Sequence, residues 1–281
     1  MNPFETHLAE ARKQLQNENL AEAISQYRKA LNTCDNEQKK GTIWAEIAWT
    51  YFRMNEFERT IEAVGNVFHF HPRYEAPEDL YRTLGLAHVA LGQDEPALEN
   101  LQKSLAIDRQ SAKQQMAIYE LAKIYFKRQS YEKAFQLFRE IEAYFYQNQQ
   151  EYWLSVLFFK GFIHYYNHQY MESEAIFEEL LENAKDGVRK ATALFGLAFV
   201  AFAKKDYLTT INLCESLMKH DPDFFDAETV GFLTAASFYY LGRHDVFEMY
   251  YYQIKKNFPA GRYDHELTQL KNTINNKNKQ N

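Results

Sequence analysis

Cysteine, proline and glycine are all scarce in this chain of 281 residues, with two, six and ten copies. Two thiols cannot build the disulfide framework of a small secreted scaffold, so Cys34 and Cys214 read as small apolar fillers suited to a reducing compartment. So little proline and glycine, beside 46% apolar residues, leaves no room for a long disordered linker. Long hydrophobic runs are missing too: Ala193 to Ala203 is among the longest, well short of the roughly 20 residues that span a bilayer. Residues Met1 to Glu10 have neither the basic segment nor the apolar core of a signal peptide, and the expected location is the cytoplasm. Positive charge is not in excess either. A net charge of −6 favours solubility and argues against a nucleic-acid surface, which needs a basic stripe.

Catalytic motifs are the next absence. The sequence contains no GxxxxGK[ST], no GxGxxG, no HExxH and no CxxC, so phosphate loops, dinucleotide folds, zinc proteases and redox dithiols have no signature here. Acidic residues are scattered as on solvated helix faces. No catalytic residue, cofactor site or metal site is expected, and the chain reads as non-enzymatic.

What the chain does have is a repeated helical hairpin. Trp44, Ile47, Ala48 and Tyr51 follow steps of three, one and three, which puts them on one face of a helix. Asn55 and Glu56 make a turn. Phe57, Thr60, Val64 and Val67 then line a second helix that stops at Pro72. The same template recurs every 37 residues from Phe4, Gly41, Glu78 and Gln115, then after one unit of 39 from Leu154, Ala191 and Glu228. Units 4–40, 41–77, 78–114, 115–153, 154–190, 191–227 and 228–264 therefore cover the chain up to a tail at 265–281. A hairpin this small cannot bury its own apolar face and needs neighbours of its own kind.

This pattern resembles the tetratricopeptide repeat (TPR) family over about nine tenths of the chain. The resemblance implies an all-α, right-handed superhelical solenoid of about seven hairpins with a C-terminal capping helix. Departures from the template are local. His7, Glu10 and Gln14 stand in packing places of the first hairpin, as suits a terminal repeat with one free side. The two extra residues of the fourth unit fall between Ile141 and Trp153, as a longer helix or a bulged connection. Lys160 takes an apolar place, which its stem can cover. Gly231 replaces a bulky residue and Phe247 a small one, so packing in the seventh unit must differ. Asp264 can cap a last helix bearing Leu267, Leu270 and Ile274, with fraying expected from Asn275 to Asn281. His69 and His71, or His164 and His168, could be read as metal pairs. His88 and His164, however, fall where Tyr51 and Tyr125 pack inward, and packing accounts for them.

In TPR arrays the first helices line a concave surface where partners lie. The resemblance places Trp49, Phe52 and Arg53 there in the second hairpin, Arg82 in the third, and Tyr119, Lys123, Phe126 and Lys127 in the fourth. Phe158, Phe162, Tyr165 and Tyr166 follow, then Phe195, Phe199 and Phe202, then Phe232, Tyr239 and Tyr240. If a third of the area of these fourteen rings stayed exposed, roughly 700–1,100 Å² would face solvent, against about 300–600 Å² for the largest apolar patch of an ordinary monomer. A bound protein segment would cover it. Self-association would too, and so would packing of the rings on one another. Arg53, Arg82, Lys123 and Lys127 form an expected basic patch beside Phe52 and Phe126, so the expected partner is a protein or peptide with apolar anchors and some acidic residues. The carboxylate clamp of heat-shock co-chaperones is not expected, because Arg12, Trp49, Leu86, Lys123, Phe162, Phe199 and Ala236 stand where that clamp wants Asn. Pentatricopeptide RNA readers also repeat near this period, but they need a positive groove. Peptide-responsive regulatory arrays share the architecture, but carry an effector domain ahead of repeats that here begin at Phe4. An adaptor or assembly scaffold is the favoured expectation, with a homo-oligomerising structural protein or a regulatory array as alternatives.

Overall fold

The computed structural model describes the backbone of residues 2–280 and the side chains to residue 276. Among these residues the regular structure is helical. The α-helices are α1 (Pro3–Gln16), α2 (Leu20–Asn32), α3 (Glu37–Arg53), α4 (Phe57–Phe70), α5 (Pro77–Ala90), α6 (Asp94–Ile107), α7 (Gln115–Lys127) and α8 (Tyr131–Asn148). They continue as α9 (Gln150–Tyr166), α10 (Tyr170–Asn183), α11 (Gly187–Ala203), α12 (Tyr207–His220), α13 (Ala227–Tyr240), α14 (His244–Asn257) and α15 (Asp264–Gln280). One turn of 3₁₀ helix, Ala112–Gln114, precedes α7.

Every odd-to-even connection from α1–α2 to α13–α14 is built the same way. Glu18, Asn55, Gly92, Gln129, His168, Lys205 and Gly242 have φ between 58° and 77°, and they follow one another at 37 residues apart from one step of 39. In each, the next N–H reaches back to the carbonyl five residues earlier, as from Glu56 to Tyr51, Ser130 to Tyr125 and Arg243 to Phe238. This is the Schellman ending, in which one left-handed residue satisfies orphan carbonyls and reverses the chain. Other helices start on side-chain caps. Asn36 Oδ1 accepts from the Lys39 N–H at 2.9 Å, and Asp186 Oδ1 from the Arg189 N–H at 2.8 Å.

The contacts group into two compact units, 1–141 and 142–281. In the first, helices pack in sequence, and the first helices also meet directly, α3 on α5 and α5 on α7. Tyr27, Ile43, Ile47, Ala63, Val64 and Val67 are buried in its core, which continues into Leu101, Ile118 and Phe138. In the terminal hairpin His7 Nδ1 lies 3.1 Å from Gln26 Oε1, so the polar packing residue has a polar partner.

In the second unit α9 packs on α10 and α11, α11 on α12 and α13, and α13 on α14 and α15. Phe145, Leu157, Ile163, Phe177 and Phe247 are its large buried side chains. The two extra residues of the fourth repeat are taken up as helix: α8 is 18 residues long and Gln149 alone separates it from α9. Lys160 does more than cover apolar surface with its stem. Its Nζ donates to both carboxylate oxygens of Glu142, at 2.8 and 2.7 Å, with the side chain 13% exposed. Leu267 and Ile274 of α15 are buried against the seventh hairpin. Two expectations there are corrected. Asp264 is the first residue of α15, its carboxylate paired with Lys255, so it is not a cap. Helix also continues past Asn275 to Gln280 instead of fraying, Asn281 and the side chains of 277–280 lying outside the described residues.

Candidate functional site

In the first unit the expected groove residues divide by environment. Trp49 is 46% exposed, its indole stacked on Phe52 at 5.9 Å, while Phe52 meets Phe57 edge-on at 5.8 Å. A depression of about 490 Å³ opens beside Trp49 between α3 and α5, with Leu15, Ala45, Tyr74 and Leu80 as apolar walls and Arg82 and Lys113 as cations. Trp49 and Arg82 thus share one site. Tyr119, by contrast, is buried and packs edge-on against Phe138 at 6.2 Å, and Phe126 half-buries against Tyr131 at 5.7 Å.

Each cation of the expected basic patch already has a carboxylate of this chain. Arg53 pairs with Glu18, Lys123 with Glu120 at 2.8 Å, and Lys127 with Asp94 at 2.5 Å. Arg82 donates to Asp79 Oδ1 at 2.7 Å and to the Lys113 carbonyl at 2.9 Å. Arg53–Glu18 and Lys127–Asp94 link neighbouring hairpins. Sequence spacing conceals them, since the partners are 35 and 33 residues apart. Around the depression Asp79 also receives Lys113 at 3.2 Å. Glu46 receives Arg12 at 2.5 Å and the Tyr27 hydroxyl at 2.7 Å. Burial, and then that bond to Glu46, push the Tyr27 phenol far above its ordinary pKa.

The second unit carries a continuous ring cluster on α9 and α11. The Phe162 centroid lies 4.9 Å from Phe158, 5.1 Å from Phe177 and 5.5 Å from Phe199, with Tyr165, Tyr166 and Phe195 slightly farther. Phe195 in turn meets Phe199 at 5.0 Å and Phe224 at 5.1 Å. Farther along, Phe202 tilts onto Phe232 and Tyr240, each at 6.3 Å, and Tyr207 stacks on Tyr240 at 4.9 Å. Phe232 stacks on Tyr263 at 4.1 Å, and Tyr239 meets Phe247 edge-on at 5.5 Å.

Self-packing therefore consumes much of the aromatic area that the sequence made available. Tyr119, Phe162 and Phe195 are core residues, which removes them from the expected contact surface; Trp49, Tyr166 and Tyr240 remain exposed and the other eight rings are half-buried. Edge-to-face geometry lets each ring present its positive edge to a neighbour's negative face, so a crowded wall satisfies itself. The sequence reading did not place Phe225 on this face. Phe225, 75% exposed, reaches Phe195 at 6.1 Å and lines a second depression of about 280 Å³ with Leu154, Phe158 and Thr192. Its signal is a Phe-Phe pair in the turn segment after Pro222.

Two of the histidines pair with glutamines that follow the turns. His88 Nδ1 lies 2.6 Å from Gln93 Oε1 and His164 Nδ1 2.8 Å from Gln169 Oε1, in equivalent places of two hairpins. Among the described residues no group of three or more His, Cys, Asp or Glu could hold a metal ion. No described helix is long and apolar enough to cross a membrane. Cys34 and Cys214 are free and buried, and burial pushes the Cys214 thiol up to about 11.

Tyr165, in the middle of the second wall, supplies a pH test. Burial, reinforced by Tyr170 and Tyr166, raises its phenol from 10.0 to about 12. The folded protein therefore holds that proton more tightly than the unfolded chain does. This contribution is intact below pH 10 and is lost as pH rises from 10 towards 12. The wild type is expected to lose stability more steeply across that window than Tyr165→Phe, in urea melts at fixed ionic strength. Parallel curves would contradict the assignment.

No protein-family model and no curated protein matches the sequence. Solved structures do match. The C-terminal part of a TPR repeat-containing protein from Cytophaga hutchinsonii aligns over 92% of this chain and 98% of its own, with TM-score 0.58 and 16% identity. PilF of Pseudomonas aeruginosa aligns over 83% and 98%, with TM-score 0.58 and 13% identity. YrrB, a TPR protein with an unusual peptide-binding site, aligns over 71% and 90%, with TM-score 0.51 and 16% identity. Hairpins closed by a recurrent left-handed turn, packed in sequence with first helix against first helix, and the likeness to these structures lead to one assignment: the chain has the tetratricopeptide repeat fold.

Proposed function

We propose that the chain is a non-catalytic interaction scaffold that holds a protein segment on its first-helix faces through apolar anchors. The observation that carries this reading is Trp49, half-exposed at the mouth of the depression between α3 and α5. A large ring beside an apolar concavity is the composition of an interface hot spot. YrrB, with a similar fold, has a peptide-binding site. The absence of a nucleotide, metal-protease or dithiol motif agrees with a role without catalysis. Buried free thiols suit a reducing compartment, and the cytoplasm is part of the proposal.

The chemistry of the segment follows from the charges around that depression. In its lining Glu46 and Asp79 face Arg82 and Lys113, two charges of each sign, with Lys113 on the exposed side. A segment with an aromatic or aliphatic anchor complements it, with at most one acidic residue beside the exposed Lys113, whereas a run of acidic residues would have to displace existing ion pairs.

Selection from a random peptide library against the full chain tests the reading. Enriched peptides are expected to carry an aromatic or branched aliphatic anchor, and Trp49→Ala is expected to weaken them at least tenfold. No enrichment, or enriched peptides indifferent to Trp49→Ala and to Tyr240→Ala alike, would overturn it.

A further inference from the structure

One place in the seventh hairpin differs from its counterparts. The position held by Trp44, Tyr81, Ile118, Leu157 and Leu194 in successive first helices is held in α13 by Gly231. In the third hairpin that place is filled: the Tyr81 ring stacks on Phe68 of α4 at 5.3 Å, and Lys103 Nζ of α6 stands 5.6 Å from its centroid. A uniform offset of 150 residues carries Phe68, Tyr81 and Lys103 onto Met218, Gly231 and Gln253. All three line one cavity of about 440 Å³ between α12, α13 and α14. The cavity thus lies beside the place that the Tyr81 ring fills in the third hairpin, with Ile254 standing over the Gly231 backbone.

Its lining defines what fits. Val230 and Ile254 are apolar walls, and Cys214 adds a buried thiol. Thr234 lines it as well, but its hydroxyl is committed to the Val230 carbonyl at 2.8 Å. Glu215 and Lys219 stand at its edge, one charge of each sign, so neither an anion nor a cation finds net attraction. The volume lies within the roughly 300–1,000 Å³ of ligand pockets and is ample for an aromatic ring.

We propose that this cavity is a binding site for a neutral, single-ring aromatic molecule, seated beside the place that the Tyr81 ring fills in the third hairpin. The occupant is a free small molecule, and the site is separate from the depression beside Trp49.

The probe is p-cresol, the tyrosine side chain as a free molecule, titrated into the full chain by saturation-transfer NMR. Saturable binding is expected on the order of 1 mM, the range available to so few atoms. Benzoate and benzylamine, of similar size but charged, are expected to bind at least tenfold more weakly. Contacts between the cresol ring and the Met218 methyl in the wild type locate the ligand without any substitution. Gly231→Leu is expected to abolish binding by filling the cavity. A Cβ at 231 meets Ile254 Cγ1 at 3.2 Å, so that side chain must give by a few tenths of an ångström. Met218→Trp, which fills the cavity from the facing wall, is the second variant. Non-saturable cresol binding, absence of the Met218 contact, or unchanged affinity in a folded filled variant would overturn the proposal.

Discussion

Phe177→Ala is expected to destabilise the protein by about 3–5 kcal/mol, visible as a lower urea midpoint at unchanged slope. The ring belongs to α10, is fully buried, and meets Phe162 at 5.1 Å and Phe158 at 6.5 Å. Two backbones close on it. A Cβ added at Gly161 of α9 would lie 2.6 Å from Phe177 Cε1, and one added at Gly196 of α11 would lie 2.3 Å from the same atom. Those glycines are where two first helices approach one second-helix ring, and neither tolerates even a methyl group while the ring is in place. Gly196→Ala alone should therefore cost about 1–3 kcal/mol by overpacking. In the Phe177→Ala background the same methyl enters an empty cavity, so its penalty should vanish. A double-mutant cycle measures this coupling directly. Additive losses would show that Gly196 is not there to admit the ring.

That arrangement shows which parts of the molecule could be read from one strand of text. Gly161, Tyr170 and Phe177 repeat an order already set by Ala48, Phe57 and Val64, because a hairpin with 3.6 residues per turn must bring the same offsets to the same face. The turn residues were less visible. Glu18, Gln129, His168 and Lys205 adopt positive φ without being glycine or asparagine, since the Schellman hydrogen bonds, not the residue's own preference, hold them there. The extra residues of the fourth repeat also had two readings. Helix won, because extending α8 with paired amides costs less than a bulge with unpaired ones.

The groove was legible in position and illegible in character. Spacing put Phe162, Phe195 and Tyr119 on first-helix faces, but spacing does not say how closely the next first helix approaches, and close approach buries rings. Likewise Arg53 and Lys127 carry no sequence mark of Glu18 and Asp94, which reach them only once hairpins stack. Gly231 was legible as a departure, while the cavity beside it brings together Met218 of α12 and Gln253 of α14, which spacing alone does not announce.

The difference between a wall and a contact surface can be measured four residues apart on α9. Phe162 is 5% exposed and touches six other rings; Tyr166 is 44% exposed and tilts on Phe162 at 6.1 Å from outside. Phe162→Ala should cost about 3–5 kcal/mol of stability, because the cavity it leaves is held open by Phe158, Phe177 and Phe199 on three different helices. Tyr166→Ala should stay within about 1 kcal/mol, since water already reaches much of the ring. Urea unfolding of both variants beside the wild type separates them. The contrast also decides how any binding assay is read: a loss of partner affinity in Phe162→Ala reports damage to the wall, whereas a loss in a fully stable Tyr166→Ala reports a contact. Equal destabilisation by the two substitutions would mean that the outer ring is held as firmly as the inner one, and that the face between α9 and α11 has no side chain left to give to a partner.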